Sequence, residues 1–110
     1  QFEPAFLEGF IDGQTVYGLK QTVAHYMAEL KDTEKLIEQL EKSIGRKNEQ
    51  MIADGLNREQ RIAIREDVFQ QQQKLQDATD SLPTLKQELE NAQQTYEQEM
   101  LTFSHYLLAP

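Results

Sequence analysis

The fold of this chain is decided by a short stretch near its middle, residues 53–60, which reads Ala-Asp-Gly-Leu-Asn-Arg-Glu-Gln. Gly55 suits the left-handed backbone conformation that commonly ends a helix. Asn57 and Gln60 have the spacing of a capping box, in which each side chain accepts a hydrogen bond from the backbone N–H of the other residue. The stretch therefore predicts a tight turn at residues 54–57. Helices joined by so short a turn are antiparallel neighbours.

Apolar residues recur every seven positions on both sides of this turn. A second set of mostly apolar residues lies three positions after the first, which is typical of a coiled coil and not of a strand. We predict helices over residues 14–53 and 58–101, in register such that Val23 lies near Leu89 and Ile37 near Leu75. The two residue numbers of each such pair add to 112. The predicted helix–helix seam consists of Val16, Val23, Leu30, Ile37, Ile44, Val68, Leu75, Leu82, Leu89 and Tyr96.

Pro83 lies inside the second heptad pattern, where a proline costs about 3 kcal/mol in a helix interior. The heptad phase passes through Pro83 without a shift, which favours one helix with a kink near this residue. The alternative is a break with Ser81 as a new N-cap, which gives a three-helix bundle. The predicted fold class is all-α, a long antiparallel two-helix coiled-coil hairpin.

The two ends of the chain lie outside the predicted helices. Gly9 and Gly13 favour a flexible lead-in segment over residues 1–13, and residues 102–110 form an exit segment of a hairpin domain that covers residues 14–108. The chain begins with Gln1 and ends with Pro110 directly after an apolar run. We therefore expect it to be a piece of a larger protein.

The composition excludes several classes of function. The chain has 110 residues, no cysteine, and 11 basic against 19 acidic residues, a net charge of −8. These values argue for one domain, against a disulfide-rich scaffold and against a nucleic-acid binder. No apolar run is long enough to span a membrane. His25 and His105 lie on different helices, so we expect no catalytic site, no metal site, no cofactor and no enzymatic activity.

The segment around the turn differs in charge from the rest of the chain. Residues 42–65 hold six bases and three acids, a balance of +3, which leaves −11 for the remainder. Apolar residues lie beside these bases, and charge together with apolar surface is typical of a docking surface. The predicted partner-docking tip consists of Arg46, Lys47, Met51, Ile52, Leu56, Asn57, Arg58 and Arg61.

The long heptad hairpin, the turn at residues 51–57 and the ending at residues 103–110 resemble the helical hairpin of bacterial membrane fusion proteins, the periplasmic adaptors of the HlyD family. In this resemblance the ending looks like the family's return strand into a lipoyl-like domain. Lys47, Met51 and Asn57 take the places of an Arg, a Leu and a Ser at the tip of adaptors that contact outer-membrane channels. All three are substitutes for the family's residues.

The resemblance implies a structural role in the periplasm or cell envelope, as part of a protein anchored in the inner membrane. Copies of the hairpin would stand side by side, linking an inner-membrane transporter to an outer-membrane channel in efflux or type I secretion. Two other classes stay open. One is a coiled-coil stalk or assembly protein of a secretion apparatus, and the other is a small envelope lipoprotein.

Overall fold

The computed structural model describes the backbone of residues 4–108 and the side chains of residues 16–105. It consists of two long helices, α1 (Pro4–Met51) and α2 (Arg58–Leu108), joined by a six-residue turn. The described backbone contains no strand. The predicted all-α fold of two helices in a hairpin is confirmed, and the three-helix alternative is wrong.

Both helices extend further from the turn than the predicted bounds. α1 begins at Pro4 and not at residue 14. Proline suits the first position of a helix because that position needs no N–H donor. α2 continues to Leu108, so the residues expected as an exit segment, and likened to a return strand, are helical through residue 108. The seven-residue apolar repeat continues from Tyr96 to Phe103, which favours a helix in this segment as well.

The turn has the predicted geometry. Gly55 has φ +88°, a left-handed conformation that a side chain would strain. The Asn57 backbone N–H donates to Gln60 Oε1 at 3.0 Å, and the Gln60 backbone N–H donates to Asn57 Oδ1 at 2.8 Å. This reciprocal pair confirms the predicted capping box. The last turn of α1 is closed by a hydrogen bond from the Ala53 N–H to the Gln50 carbonyl at 3.1 Å.

α2 passes through Pro83 without a break. Because proline has no N–H, the Thr79 carbonyl one turn earlier lacks its usual helical partner. Thr79 and Pro83 are both exposed, so water can hydrate that carbonyl. The Ser81 hydroxyl donates to the neighbouring Ala78 carbonyl at 2.7 Å. The exposure of Thr79 and Pro83 therefore explains how α2 tolerates this proline.

The chain divides into two compact units. Unit 1 comprises Gln1–Glu29 and Leu85–Pro110, and unit 2 comprises Leu30–Thr84. The most buried apolar side chains of unit 2 are Leu40, Ile44, Val68 and Ala78, and Val16 is buried in unit 1. Among the described side chains, no polar or charged residue is buried as a whole, although the Oε1 atom of the half-buried Gln71 is buried. The remaining predicted seam residues are half-buried: Val23, Leu30, Ile37, Leu75, Leu82, Leu89 and Tyr96.

The register of the two helices differs slightly from the predicted pairing. In unit 2, Lys47 forms an ion pair with Asp67, and these numbers add to 114. In unit 1, one groove is lined by residues of both helices whose numbers are compatible with the same sum: Leu19, Thr22 and Tyr26 from α1, and Glu88, Asn91, Ala92 and Thr95 from α2. The shift from 112 is two residues, or about 3 Å along a helix. Ile37 is therefore closer in level to the buried Ala78 than to Leu75.

Candidate functional site: the hairpin tip

The end of α1, the turn and the start of α2 form the hairpin tip, which lies within unit 2. Ile52 is 84% exposed because it follows the last helical residue of α1, where neither helix covers it. Met51 and Leu56 are half-buried. The tip therefore presents one apolar side chain to solvent and two more at its margin.

Three arginines of the predicted docking tip, Arg46, Arg58 and Arg61, are exposed. Among the side chains that the structure describes, none of the three forms an ion pair. Each guanidinium keeps all five N–H donors available for a carboxylate or a carbonyl group of another molecule.

Lys47 differs from these arginines because its ammonium group already forms an ion pair within the hairpin. The side chain is 27% exposed and forms an ion pair across the hairpin with Asp67. The sequence carries a signal for this position: Lys47 continues the series Leu19, Tyr26, Thr33 and Leu40, which recurs every seven residues along the seam. Lys47 therefore holds the two helices together, in contrast to its predicted place on the docking surface.

This pairing lowers the charge that the tip can offer. Lys47 pairs with Asp67, and Lys42 pairs with Glu38 at 2.9 Å, both acids lying outside residues 42–65. The unpaired bases of that segment are four arginines, the three above and Arg65. The acids are Glu49, Asp54 and Glu59. The balance of unpaired charge is therefore +1, compared with the +3 counted from sequence.

Asn57 has a structural role at the tip. Its side-chain oxygen accepts the hydrogen bond from the Gln60 N–H at 2.8 Å, and its backbone carbonyl accepts from the Arg61 N–H at 3.1 Å. Both interactions start α2 and set the direction in which Arg58 and Arg61 leave the turn. Asn57 thus positions Arg58 and Arg61.

Metal binding, histidine chemistry and membrane insertion can each be examined over the described part of the chain. Its side chains contain no group of three His, Cys, Asp or Glu that could hold a metal ion. His25 forms a surface pair with Glu29 at 3.1 Å, with the histidine side chain 66% exposed. Over the residues that the structure describes, neither helix combines the length and the apolar character needed to cross a bilayer.

Sequence reasoning missed a second exposed surface, on the side of α2. Ile62 and Phe69 are 41% and 61% exposed, although they are seven residues apart and lie in an apolar-rich stretch. Their exposure could have been predicted from sequence, because each residue directly follows one of the positions that recur every seven residues along the seam of α2.

No family model matches this chain, and no match is found among curated proteins or solved structures.

Proposed function

We propose that this chain is a structural interaction module whose hairpin tip docks onto a partner protein. The observation that carries the proposal is the exposure of Ile52 between unpaired arginines at the chain reversal. A turn needs no large apolar residue at that position. An exposed apolar side chain next to unpaired arginines has the composition of protein-interaction sites, in which apolar and arginine side chains lie together.

The chemistry of the tip matches that of a small docking site. Ile52 and the half-buried Met51 and Leu56 supply apolar contact, while Arg46 and Arg58 supply directional hydrogen bonds to acidic groups. Arginine is enriched among the residues that carry most of the energy of protein interfaces. With an unpaired balance near +1, apolar contact contributes more to this docking than long-range electrostatic attraction does.

We further propose that the module is the periplasmic hairpin of a membrane fusion protein, as the resemblance implies. The support is the order of features along the sequence: heptads, the glycine turn of residues 51–57, and heptads again. In this role the partner at the tip is an outer-membrane channel, and segments beyond the hairpin contact an inner-membrane transporter. The protein would act in the cell envelope.

Site-specific photo-crosslinking in cells tests the docking role. A photoreactive phenylalanine analogue at Ile52 reports on the tip, and the same analogue at Leu36, which is 45% exposed on α1, is the matched control. We expect a specific adduct with one envelope protein from position 52 and none from position 36. Equal adducts from both positions, or none from either, would contradict docking by the tip.

A charge variant separates the two components of the site. Arg46→Glu combined with Arg58→Glu should weaken partner capture and leave helicity by circular dichroism unchanged, because both side chains are exposed and unpaired. Lys47→Glu is unsuitable, since it would face Asp67 across the seam and destabilise the hairpin itself. Cell fractionation tests the adaptor role separately: a cytoplasmic location would exclude it even if the tip binds a partner.

A further inference from the structure

The turn of the hairpin contains an Asp-Gly dipeptide, Asp54–Gly55, and the sequence contains a second one, Asp12–Gly13. A backbone amide nitrogen can attack the side-chain carboxyl of the aspartate before it and close a five-membered succinimide ring. Glycine after the aspartate favours this reaction, because glycine has no Cβ to obstruct the approach of the carboxyl group. The two dipeptides lie in different backbone conformations, which give them different reactivity.

The backbone nitrogen of Gly55 is accessible to the Asp54 carboxyl. Both residues are exposed, and Gly55 lies between α1 and α2 with φ +88°. Over the part of the chain that the structure describes, no hydrogen bond has the Gly55 N–H as its donor. A Cβ placed on Gly55 would meet no atom within 4 Å, so no neighbouring group crowds this residue. Neither a hydrogen bond nor packing therefore holds the nitrogen away from the carboxyl group.

The backbone nitrogen of Gly13 has the opposite environment. Gly13 lies in the interior of α1, where each backbone N–H donates to the carbonyl four residues earlier. Such a hydrogen bond directs the nitrogen along the helix axis and away from the preceding side chain. Attack at this position requires α1 to open locally, so only the small open population can react. The helix therefore protects Asp12, although the dipeptide is the same.

We propose that Asp54 is a site of spontaneous isomerisation to isoaspartate, and that the turn conformation selects it over Asp12. The Gly55 nitrogen bonds to Asp54 Cγ, and one water leaves with a carboxyl oxygen, the amide hydrogen and a proton. One water then opens the ring. Addition at Cγ restores aspartate, whereas addition at the main-chain carbonyl carbon of residue 54 breaks its bond to the Gly55 nitrogen and leaves isoaspartate. The water lost is regained, and nothing is oxidised or reduced.

Isoaspartate changes the path of the backbone at the chain reversal. The main chain then runs through Cβ and Cγ of residue 54, which adds one backbone carbon between Ile52 and Arg58, and the free carboxylate moves to Cα. The capping box joins Asn57 and Gln60 after the modified bond, so it still starts α2. The modification goes beyond the docking role, because it occurs in the isolated chain whether or not the tip binds a partner.

The proposal is tested by incubating the chain at neutral pH and physiological temperature and measuring isoaspartate over time. Trypsin cleaves after lysine and arginine, so it releases Asp54 within residues 48–58 and Asp12 within residues 1–20. Isoaspartate in each peptide is quantified by methylation with an isoaspartyl carboxyl methyltransferase and S-adenosylmethionine. We expect it to form at least about tenfold faster at Asp54 than at Asp12, which corresponds to about 1.4 kcal/mol of local opening free energy in α1.

Unfolding and two variants are the controls. In concentrated guanidinium chloride neither glycine N–H is held in a helix, so the two rates should become similar because the rate at Asp12 rises. Asp54→Glu should abolish the signal from residues 48–58, since glutamate would have to close a larger, six-membered ring. Asp12→Glu is the matched control and should leave that signal unchanged. Circular dichroism of both variants should show unchanged helicity, because neither substitution alters a residue of the capping box.

Three results would overturn the proposal: no isoaspartate at Asp54, a rate at Asp12 that equals or exceeds the rate at Asp54 in the folded chain, or rates that rise equally at both sites on unfolding. The last result would mean that the native turn protects Asp54 as well as the helix protects Asp12. None of these measurements involves a partner protein. A missing crosslink from Ile52 would contradict the proposed function and leave this proposal standing, so the two can fail independently.

Discussion

Leu40→Ala should destabilise the hairpin far more than Leu36→Ala, although the two leucines lie one turn apart on the same helix. Leu40 is 8% exposed and Leu36 is 45% exposed. Burying a leucine side chain fully contributes about 1.5–3 kcal/mol, and its replacement by alanine adds a cavity term that brings typical losses to about 2–5 kcal/mol.

The expected losses follow from the exposures. Leu40 is almost fully buried, so its side chain contributes nearly the full free energy of burial. The neighbouring side chains of a seam between only two helices can move into the space that Leu40→Ala leaves, so we expect a loss of about 2–3 kcal/mol. Leu36 has about half of its surface in water already, and we expect a loss of about 0.5–1 kcal/mol. Alanine exceeds leucine only slightly in helix propensity, so the difference measures burial.

Urea unfolding monitored by circular dichroism at 222 nm gives both values, with the unmodified chain as reference. Because the stability of small domains is only about 5–15 kcal/mol, a loss of 2–3 kcal/mol moves the midpoint clearly. Equal losses for the two variants would refute the assignment of Leu40 to the core. A larger loss for Leu36→Ala would mean that the buried face of α1 contains Leu36 and not Leu40.

Substitutions at four other positions have effects on stability whose signs follow from local geometry. Gly45→Ala should stabilise the hairpin by about 0.5–1 kcal/mol, because Gly45 is helical and a Cβ there meets no atom within 4 Å. Gly55→Ala should destabilise the hairpin by about 1 kcal/mol, because the φ of +88° at this position strains any side chain. Thermal unfolding of the pair should show shifts of opposite direction. Asn57→Ala should cost about 1 kcal/mol by removing the capping oxygen, and Asn57→Ser should recover most of it in the same experiment. Gln71→Leu should raise the urea midpoint by the equivalent of about 1–2 kcal/mol, because Gln71 Oε1 is buried without a hydrogen-bond partner; an unchanged or lower midpoint would mean that this oxygen is hydrated.

The features set by local chemistry were predictable from sequence. Gly55 and the Asn57–Gln60 capping box act over four residues, and the heptad phase alone identified which side of each helix is buried. The register was not fixed by the heptads, because antiparallel seams of the same phase can slide by part of a turn. The structure gives pairs near 114, held in unit 2 by Lys47 and Asp67.

The candidate site was harder to predict than the fold. Counting charges along the sequence treats every base as available, whereas Lys47 and Lys42 are each paired with an acid outside the segment. The exposure of Ile52 depends on where α1 ends, and α1 ends two residues earlier than the predicted bound at residue 53. The helical start at Pro4 does not follow from the sequence, because Gly9 and Gly13 favour a flexible segment; isolated glycines in a helix nevertheless cost only about 1 kcal/mol each.

The antiparallel hairpin itself is tested most directly by distances between spin labels in unit 2. Labels at Glu41 and Gln73, both exposed, sit at matching levels of α1 and α2 in the observed register. Packed helix axes are about 8–10 Å apart, so the two labels should lie within about 20 Å of each other. The measurement is repeated after dilution with unlabelled chain, and the short distance should persist because it lies within one molecule. A distance near 48 Å, the length of 32 residues in one continuous helix, would contradict the hairpin, and so would a short distance that disappears on dilution.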